Sequence, residues 1–166
     1  MTKAEREKRD KNEFINKLVL SLAKDYHYWY IPGNVPSSKN GKRSLPIHKT
    51  SQKGYKYITR CILAPSPATE KYRKEKATLF YDDGLKFRAL TEKMSKPLQV
   101  GFFFINSTKH EFDLINKTQT IQDLMVVHGW IDDDNADNLI PYYPKIMGKY
   151  FLTDTYWQGV IIMLRK

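Results

Sequence analysis

Acidic residues lie on both sides of a short helical segment in the last third of the chain. Asp113 precedes the segment, and three aspartates follow it in the run Gly129-Trp130-Ile131-Asp132-Asp133-Asp134-Asn135. Because a helix C-terminus carries a partial negative charge, carboxylates just beyond it are repelled. A bound cation would offset that repulsion, and oxygen-only ligation by aspartates suits magnesium or manganese. A solvated acidic turn is the alternative interpretation.

Calcium and zinc fit the sequence less well. A calcium loop starting at Asp133 would have Asn138 at its glycine position, and no glutamate closes it. Cys61 is the only cysteine, which excludes a thiolate cluster and an intramolecular disulfide, and we expect it to be a buried thiol. The four histidines are scattered without zinc-ligand spacing, at His27, His48, His110 and His128.

The net charge of +10 is distributed unevenly along the chain. Residues 1–108 contain 22 Lys and Arg against 10 Asp and Glu, which gives +12, whereas residues 109–166 contain 6 against 8, which gives −2. A basic surface raises affinity for nucleic acid or an anionic membrane, while an acidic pocket would repel both unless it held a metal. A generally basic protein without such a partner is the alternative.

Composition limits the class of protein. A length of 166 residues fits one compact domain, and 41% hydrophobic residues are enough for a core. Residues 1–11 are too polar to help build that core. No apolar run approaches the length of a membrane span, and the start lacks the apolar segment of a signal peptide. We therefore expect a soluble, cytoplasmic protein without a membrane partner.

The first third of the chain alternates structured segments with loops. Apolar residues at helical spacing predict a helix over Lys11–Asp25, and the aromatic segment Tyr26–Pro32 predicts a strand. Two prolines and a glycine then force a loop, and the following Ser37–Arg43 is polar and basic without an apolar anchor. The β-forming residues of Tyr55–Leu63 predict a second strand.

Turn and cap residues delimit the middle of the chain. Ser66 lies between two prolines and is a good cap for a helix from about Ala68 to Tyr81. A further helix is predicted from about Leu85 to Met94. The apolar run within Pro97–Ile105 predicts a core strand.

One more helix carries the polar residues of the last third. Asn116 is predicted as its N-cap, His128 as its end and Gly129 as the C′ residue. Two further strands are predicted, over Asn138–Tyr143 and Val160–Leu164. The order of elements predicts an α/β (α+β) fold, with a mixed sheet packed against helices and an extra N-terminal helix. The apolar stripe of the helix consists of Ile121, Leu124, Met125 and Val127.

The opposite face of this helix is polar. Asn116, Gln119 and Asp123 fall at i, i+3 and i+7 and therefore share that face. The segment from Asn116 to His128 should span roughly 20 Å, so Asp113 and Asp133 cannot share a metal across one straight helix. Either the connections curl back, or a two-fold axis brings the N-terminus of one subunit's helix to the aspartates of the other.

These elements together resemble the RusA family of Holliday junction resolvases. The resemblance runs from about residue 28 to the C-terminus, so we divide the chain into a basic helical extension (1–27) and a RusA-like endonuclease domain (28–166). Order and spacing carry the resemblance more than any one motif. The residues that carry it are Pro32, Pro36-Ser37-Ser38-Lys39-Asn40, Tyr72-Arg73, Pro97-Leu98, Asp113-Leu114-Ile115-Asn116, Asp123-Leu124, Gly129 and Asp132-Asp133.

The resemblance implies a small homodimeric endonuclease that cuts four-way DNA junctions with Mg²⁺, which Mn²⁺ replaces in some cases, during recombination and repair. Asp113, Asn116, Asp132 and Asp133 match the family's catalytic signature, and the three aspartates would hold the metal. Ile115 stands where the family has an aspartate. Gln119 stands where it has a lysine. Substitute oxygen ligands would be Asp134, Glu111 or Asp123, and substitute cations Lys117 or Lys109.

DNA contacts are assigned to residues of the basic segments. The loop residues Lys39, Asn40, Lys42 and Arg43 would grip the phosphate backbone without reading sequence. Lys53, Lys56 and Arg73, the last on the predicted helix after Ser66, would support that grip. The remaining assigned DNA-binding residues are Lys109 and Lys117.

Two other functions remain open. One is a non-catalytic protein that binds junctions or duplexes and has lost its metal site, consistent with Ile115. The other is an RNA-binding module that uses Tyr28, Trp29 and Tyr30, because stacking proteins prefer single strands. A resolvase of this size suggests a bacterial cell or a phage-infected one.

Overall fold

The computed structural model describes residues 3–37, 42–110 and 112–166. Within those ranges the chain forms three helices and seven strands. Their order is α1 (Lys3–Asp25), β1 (Tyr26–Pro32), β2 (Lys42–Thr50), β3 (Lys56–Pro65), α2 (Pro67–Thr91), β4 (Leu98–Asn106), α3 (Leu114–Val127), β5 (Leu139–Tyr142), β6 (Phe151–Thr153) and β7 (Gly159–Arg165).

A mixed five-stranded sheet forms the centre of the fold. Its strands follow the order β1-β7-β4-β5, and β6 pairs with the far end of β4. β7 is antiparallel to both β1 and β4, whereas β5 and β6 run parallel to β4. The predicted fold class, a mixed sheet packed against helices, is confirmed. β2 and β3 form a separate two-stranded sheet.

Both faces of the central sheet are covered, which explains the continuous apolar run in β4. Side chains alternate between the faces of a strand, so Phe102 and Phe104 pack into one cluster with α2 and α3. Phe103 joins the second cluster, where Leu18 and Leu22 of α1 pack against the other face. These five side chains are at most 1% exposed, and burying each one contributes about 2 kcal/mol.

α2 is one continuous helix where the sequence predicted two. Ser66 caps it as predicted, because its Oγ accepts a hydrogen bond from Thr69 N at 3.2 Å. The helix continues through Gly84, although glycine disfavours helical conformation. A Cβ at Gly84 would lie 2.7 Å from the Trp130 ring, so the missing side chain makes room for the indole.

α3 begins earlier than its predicted cap. Asp113 is the N-cap, because its Oδ1 accepts hydrogen bonds from Ile115 N at 2.9 Å and Asn116 N at 3.3 Å. Asn116 therefore lies inside the first turn, and its prediction as N-cap was wrong. Gly129, with φ of 71°, ends the helix as predicted. Val127 is 71% exposed and lies outside the apolar stripe.

Two strands, β2 and β6, were not predicted from the sequence, and the prediction for the Cys61 thiol was wrong. β6 is short, and β2 begins at Lys42, within the predicted loop Ser37–Arg43, and continues to Thr50. Cys61 lies in β3 and is exposed, not buried as expected, because the hairpin of β2 and β3 lies outside the central core. In the described ranges, no helix has the length and apolar character needed to cross a membrane.

Candidate functional site

One face of α3 carries a row of polar side chains that form two hydrogen-bonded pairs. Asn116 Nδ2 donates to Asp113 Oδ2 at 2.7 Å, and Gln119 Nε2 donates to Asp123 Oδ1 at 3.0 Å. The second pair lies at i, i+4 spacing on the face that the sequence predicted for Asn116, Gln119 and Asp123. Asn116, Gln119 and Asp123 are each half-buried, so the row lies at the edge of the core and remains open to solvent.

Asp134 joins this row from the loop that follows α3. Its Oδ2 accepts a hydrogen bond from Gln119 Nε2 at 2.6 Å. Gln119 lies ten residues before Gly129, or roughly 15 Å along the helix axis, so the loop curls back alongside α3. The connection thus curls back within one chain and brings Asp134, the residue after Asp133, to the middle of α3.

Trp130 holds the start of this loop against the core. The Trp130 indole is 2% exposed, and its Nε1 donates to Phe80 O at 2.6 Å. Gly129 N donates to Val126 O and Trp130 N to Met125 O, the pair of bonds that defines a Schellman motif. The local helix end and the buried indole together direct the aspartates that follow.

Arg73 extends the polar row onto α2. Its Nη2 donates to Asp123 Oδ2 at 3.2 Å, so this predicted DNA-binding residue is engaged with a carboxylate. Within the described part of the chain, the buried Arg73 Nε has no hydrogen-bond partner. Arg73 places one positive charge beside Asp123 and close to the Gln119 bridge.

Asp132 contacts residues near the end of α2, not the polar row of α3. Its carboxylate accepts hydrogen bonds from Arg88 Nη2 at 3.1 Å and from Lys96 Nζ, which also donates to Asn138 Oδ1 at 2.9 Å. The hydrogen bond and charge of Lys96, with a contribution from Arg88, hold the pKa of Asp132 below its usual value. This cluster lines a cavity of about 500 Å³ between the end of α2 and the start of β5.

Asp133 lies between these two clusters in sequence and is exposed. Its Oδ1 accepts a hydrogen bond from Asp134 N at 2.8 Å, and its Oδ2 accepts one from Asn135 Nδ2 at 2.7 Å. Both bonds shape the acidic turn. Asp133 therefore contributes to the backbone path that brings Asp134 to α3.

A metal set of Asp113, Asp132 and Asp133 does not form a single group in this chain. Among the described residues, no three His, Cys, Asp or Glu side chains lie close enough together to hold a metal ion. Asp123 and Asp134 are nevertheless joined through Gln119. Two carboxylates fit Mg²⁺, which is usually bound by one or two carboxylates together with waters and substrate phosphates.

Lys117, another predicted DNA contact, is 8% exposed. Its Nζ donates to Asn106 Oδ1 at 2.8 Å and to Asn34 Oδ1 at 3.3 Å, and it lies 5.0 Å from the centre of the Phe112 ring. Burial lowers the pKa of Lys117 to about 8. Lys117 thus connects α3 with the end of β4 and the loop after β1.

A second bond fixes the loop after β1 to α3. Thr120 Oγ1 donates to Pro36 O at 2.9 Å, and Thr120 is 1% exposed. Residues 38–41, which include the predicted DNA contacts Lys39 and Asn40, lie outside the described residues, as does Glu111. Because Pro36 is bound to α3, the basic segment after it starts beside the polar row.

The remaining predicted DNA contacts lie on the surface. Arg43 forms an ion pair with Glu70 at 3.5 Å, and Lys109, Lys53 and Lys56 are exposed. Lys42 is the first residue of β2.

Sequence reasoning missed the long-range bonds of Thr120 and Lys117. No local spacing marks Asn34 or Asn106 as partners of Lys117, or Pro36 as the partner of Thr120.

No protein-family model matches this chain, and no curated protein matches it at a significant level.

Proposed function

We propose that this protein is a Mg²⁺-dependent endodeoxyribonuclease that resolves four-way DNA junctions in recombination and repair. The observation that carries the proposal is the bridge of Gln119 between Asp123 and Asp134, in line with Asp113 and Asn116 on α3. The bridge brings two carboxylates together on α3, and Thr120 of the same helix binds the loop that leads into the basic segment. The resemblance to the RusA family supplies the substrate class.

In this proposal Asp123 and Asp134 hold the metal ion, Mg²⁺ or Mn²⁺. A half-turn of the Gln119 amide would present its oxygen to the same ion. A bound ion would supply a water of lowered pKa and polarise the scissile phosphate. Asp113 and Asn116 lie along the same face to position substrate oxygens or bound water. Arg73 supplies a positive charge, the role that the family assigns to its lysine.

Asp132 has a structural role in this proposal. Two cations already engage its carboxylate, and its contacts lie away from the bridge of Gln119. Asp133 shapes the turn that presents Asp134. A homodimer would place two such sites about a two-fold axis, which suits cutting of paired strands. The enzyme would act in the cytoplasm of a bacterial or phage-infected cell.

Cleavage of synthetic four-way junctions tests the proposal. We expect the wild-type chain to cut with Mg²⁺ and not with EDTA. Asp134→Asn and Asp123→Asn should each lower the cleavage rate at least about 100-fold, because a weakened ligand set loses the metal's stabilisation of the transition state. Asp137→Asn, in the same turn, is the control and should cut like the wild type.

Asp132→Asn separates the two possible ligand sets. We expect this variant to keep cleavage within a few-fold of the wild type. Suppose that Asp132→Asn keeps a native circular dichroism spectrum but loses cleavage, while Asp134→Asn cuts normally. That result would assign the metal to Asp132 and its neighbours instead of Asp134. Absence of Mg²⁺-dependent cutting by the wild type would reject the nuclease proposal.

A non-catalytic DNA-binding protein is the second candidate. Ile115, which stands where the RusA family has an aspartate and is exposed in the first turn of α3, favours it. Titration calorimetry with Mg²⁺ and Mn²⁺ distinguishes the two, because the second candidate predicts junction binding without metal binding. The RNA-binding alternative has less support, because Trp29 is 7% exposed and packs against Phe87 and Trp130 in the core.

A further inference from the structure

The hairpin of β2 and β3 projects from the core with large apolar side chains in solvent. In the described ranges its two strands pair only with each other. Such two-stranded ribbons are at best marginally stable alone in water, and clustered exposed apolar groups mark interaction surfaces. The exposed apolar side chains are Tyr55 at 74%, Leu63 at 73%, Ile58 at 57%, Tyr57 at 51% and Ile62 at 43%.

The same hairpin carries only positive charge. Residues 42–65 contain six Lys and Arg and no Asp or Glu. Two copies of this surface would repel each other, so the charge disfavours pairing of hairpin with hairpin. The phosphates of DNA would neutralise these positive charges, and its sugars and base edges would offer apolar contacts. The charged residues are Lys42, Arg43, Lys49, Lys53, Lys56 and Arg60.

The dimensions of the ribbon fit a DNA groove. β3 has 10 residues and therefore extends for roughly 33 Å. The major groove of duplex DNA, about 12 Å wide, admits a two-stranded ribbon. At the tip, Ser51 Oγ accepts a hydrogen bond from Tyr55 N, and Gly54 takes a φ of 82°, which closes the turn beside Lys53.

Contacts at the base of the hairpin tie it to the start of α2. Arg43 forms its ion pair with Glu70 in the first turn of α2, and β3 runs into the Ser66 cap of the same helix. The other strand follows the loop that Thr120 binds through Pro36. The base of the hairpin is therefore tied to the first turn of α2, where Glu70 lies one turn before Arg73, the residue that meets Asp123 of α3.

We propose that this hairpin is a DNA-binding arm that lies in the groove of a duplex and holds it across the α3 site. Its lysines and arginines contact phosphates, and Tyr55 and Tyr57 contact sugars and base edges. This inference deepens the proposed function and rests on DNA being the partner. It does not require that the metal site cuts.

Binding by the full-length protein tests the arm without cleavage. Fluorescence anisotropy with a labelled four-way junction in EDTA would compare two triple variants of equal charge loss. Lys49→Ala/Lys53→Ala/Lys56→Ala changes the arm, and the control alters three exposed lysines outside it: Lys24→Ala/Lys93→Ala/Lys149→Ala. We expect the arm variant to bind at least about tenfold more weakly and to lower the salt slope by about 3, and the control to stay within about twofold.

The tyrosines provide a second readout. Tyr57→Ala should weaken binding several-fold while leaving the salt slope unchanged, because it removes no charge. Thermal denaturation and circular dichroism of each variant would verify folding. Equal weakening by the arm and control triples would overturn the proposal. So would a wild-type chain that binds no DNA, or an arm variant that loses only self-association in size-exclusion chromatography.

The two proposals fail separately. A wild type that binds junctions through the arm but does not cut them with Mg²⁺ rejects the nuclease and keeps the arm. A wild type that cuts junctions, with an arm triple of unchanged affinity, rejects the arm and keeps the nuclease.

Discussion

Gln119 Nε2 donates to Asp134 Oδ2 at 2.6 Å although 15 residues separate the two in sequence. The bond selects which of three consecutive aspartates faces α3. Asp132 faces Arg88 and Lys96 instead, and Asp133 bonds within its own turn. One loop thus divides its carboxylates between a row on α3 and an ion-pair cluster at the end of α2.

Replacing Ile115 by aspartate should improve both stability and cutting. Ile115 is 70% exposed in the first turn of α3, where a negative charge stabilises the helix by about 0.3 to 1 kcal/mol at low ionic strength. Under the nuclease proposal the new carboxylate also adds a metal ligand, so Mg²⁺-dependent junction cleavage should rise. Urea denaturation and the cleavage assay measure the two effects.

Val127→Asp is the matched control for that change. Val127 is 71% exposed at the last residue of the same helix, where the helix dipole has the opposite sign. Val127→Asp should lower the free energy of unfolding by a similar amount and leave the cleavage rate unchanged. A gain of stability in both variants would show that removal of exposed apolar surface, and not the dipole, is responsible.

Gly84→Ala should destabilise the protein, although alanine is the better helix former. The added Cβ would lie 2.7 Å from Trp130, and overpacking of this kind costs about 1 to 3 kcal/mol. Because Trp130 anchors the loop that carries Asp134, the nuclease proposal also predicts that Gly84→Ala lowers the rate of junction cleavage. Urea denaturation gives the free energy of unfolding of the variant.

A double-mutant cycle with Trp130→Phe checks the cause. The smaller ring leaves space for the methyl group, so Gly84→Ala/Trp130→Phe should lose less stability than the sum of the two single changes. Additive losses would contradict a clash between Gly84→Ala and the indole.

Lys117 should make stability rise with pH in the alkaline range. Its pKa is lowered to about 8 in the folded protein by burial, so between about pH 8 and 10.5 the unfolded chain binds more protons. Between pH 7 and pH 11 the free energy of unfolding of the wild type should therefore rise by about 2 to 3 kcal/mol relative to that of Lys117→Met. Urea denaturation of both proteins across this range measures the difference.

Lys109→Met is the control, because Lys109 is exposed. Its stability relative to wild type should not change over the same pH range. If the difference in free energy of unfolding between wild type and Lys117→Met stays constant with pH, the result contradicts burial of the Lys117 ammonium.

Asp132→Asn should destabilise the protein only where the carboxylate is ionised. The pKa of Asp132 is lowered from 3.8 by Lys96 and Arg88, so its contribution is present above about pH 4 and is lost as pH falls through the lower folded value. The melting temperatures of wild type and variant should converge near pH 2. They should also converge in about 1 M salt, because the pair is exposed to screening.

The local signals of the sequence placed several elements correctly. The bounds of β1 matched the aromatic segment Tyr26–Pro32, and Ser66 and Gly129 mark helix ends as predicted. Each signal acts over a few residues, through a cap bond or a φ that glycine adopts easily. β2 escaped prediction because its mixed polar residues form a strand only when β3 pairs with them.

The sequence predicted the residue types of the candidate site better than it predicted which residues hydrogen-bond to one another there. The i, i+4 spacing of Gln119 and Asp123 gave a contact that the structure contains. Nothing in the spacing of Lys117 indicated that it lies buried between Asn34 and Asn106. That arrangement depends on how β1, β4 and α3 pack together.

The sequence by itself determined a basic chain, an acidic turn after a helix, a mixed α and β fold and the resemblance on which the nuclease proposal rests. The tertiary structure decided which carboxylate meets which partner. Helix ends depend on hydrogen bonds within one turn, so they are readable in sequence. The path of the loop after Gly129 depends on burial of Trp130 beneath α2, a contact 50 residues distant in the chain, and that packing brings Asp134 to Gln119.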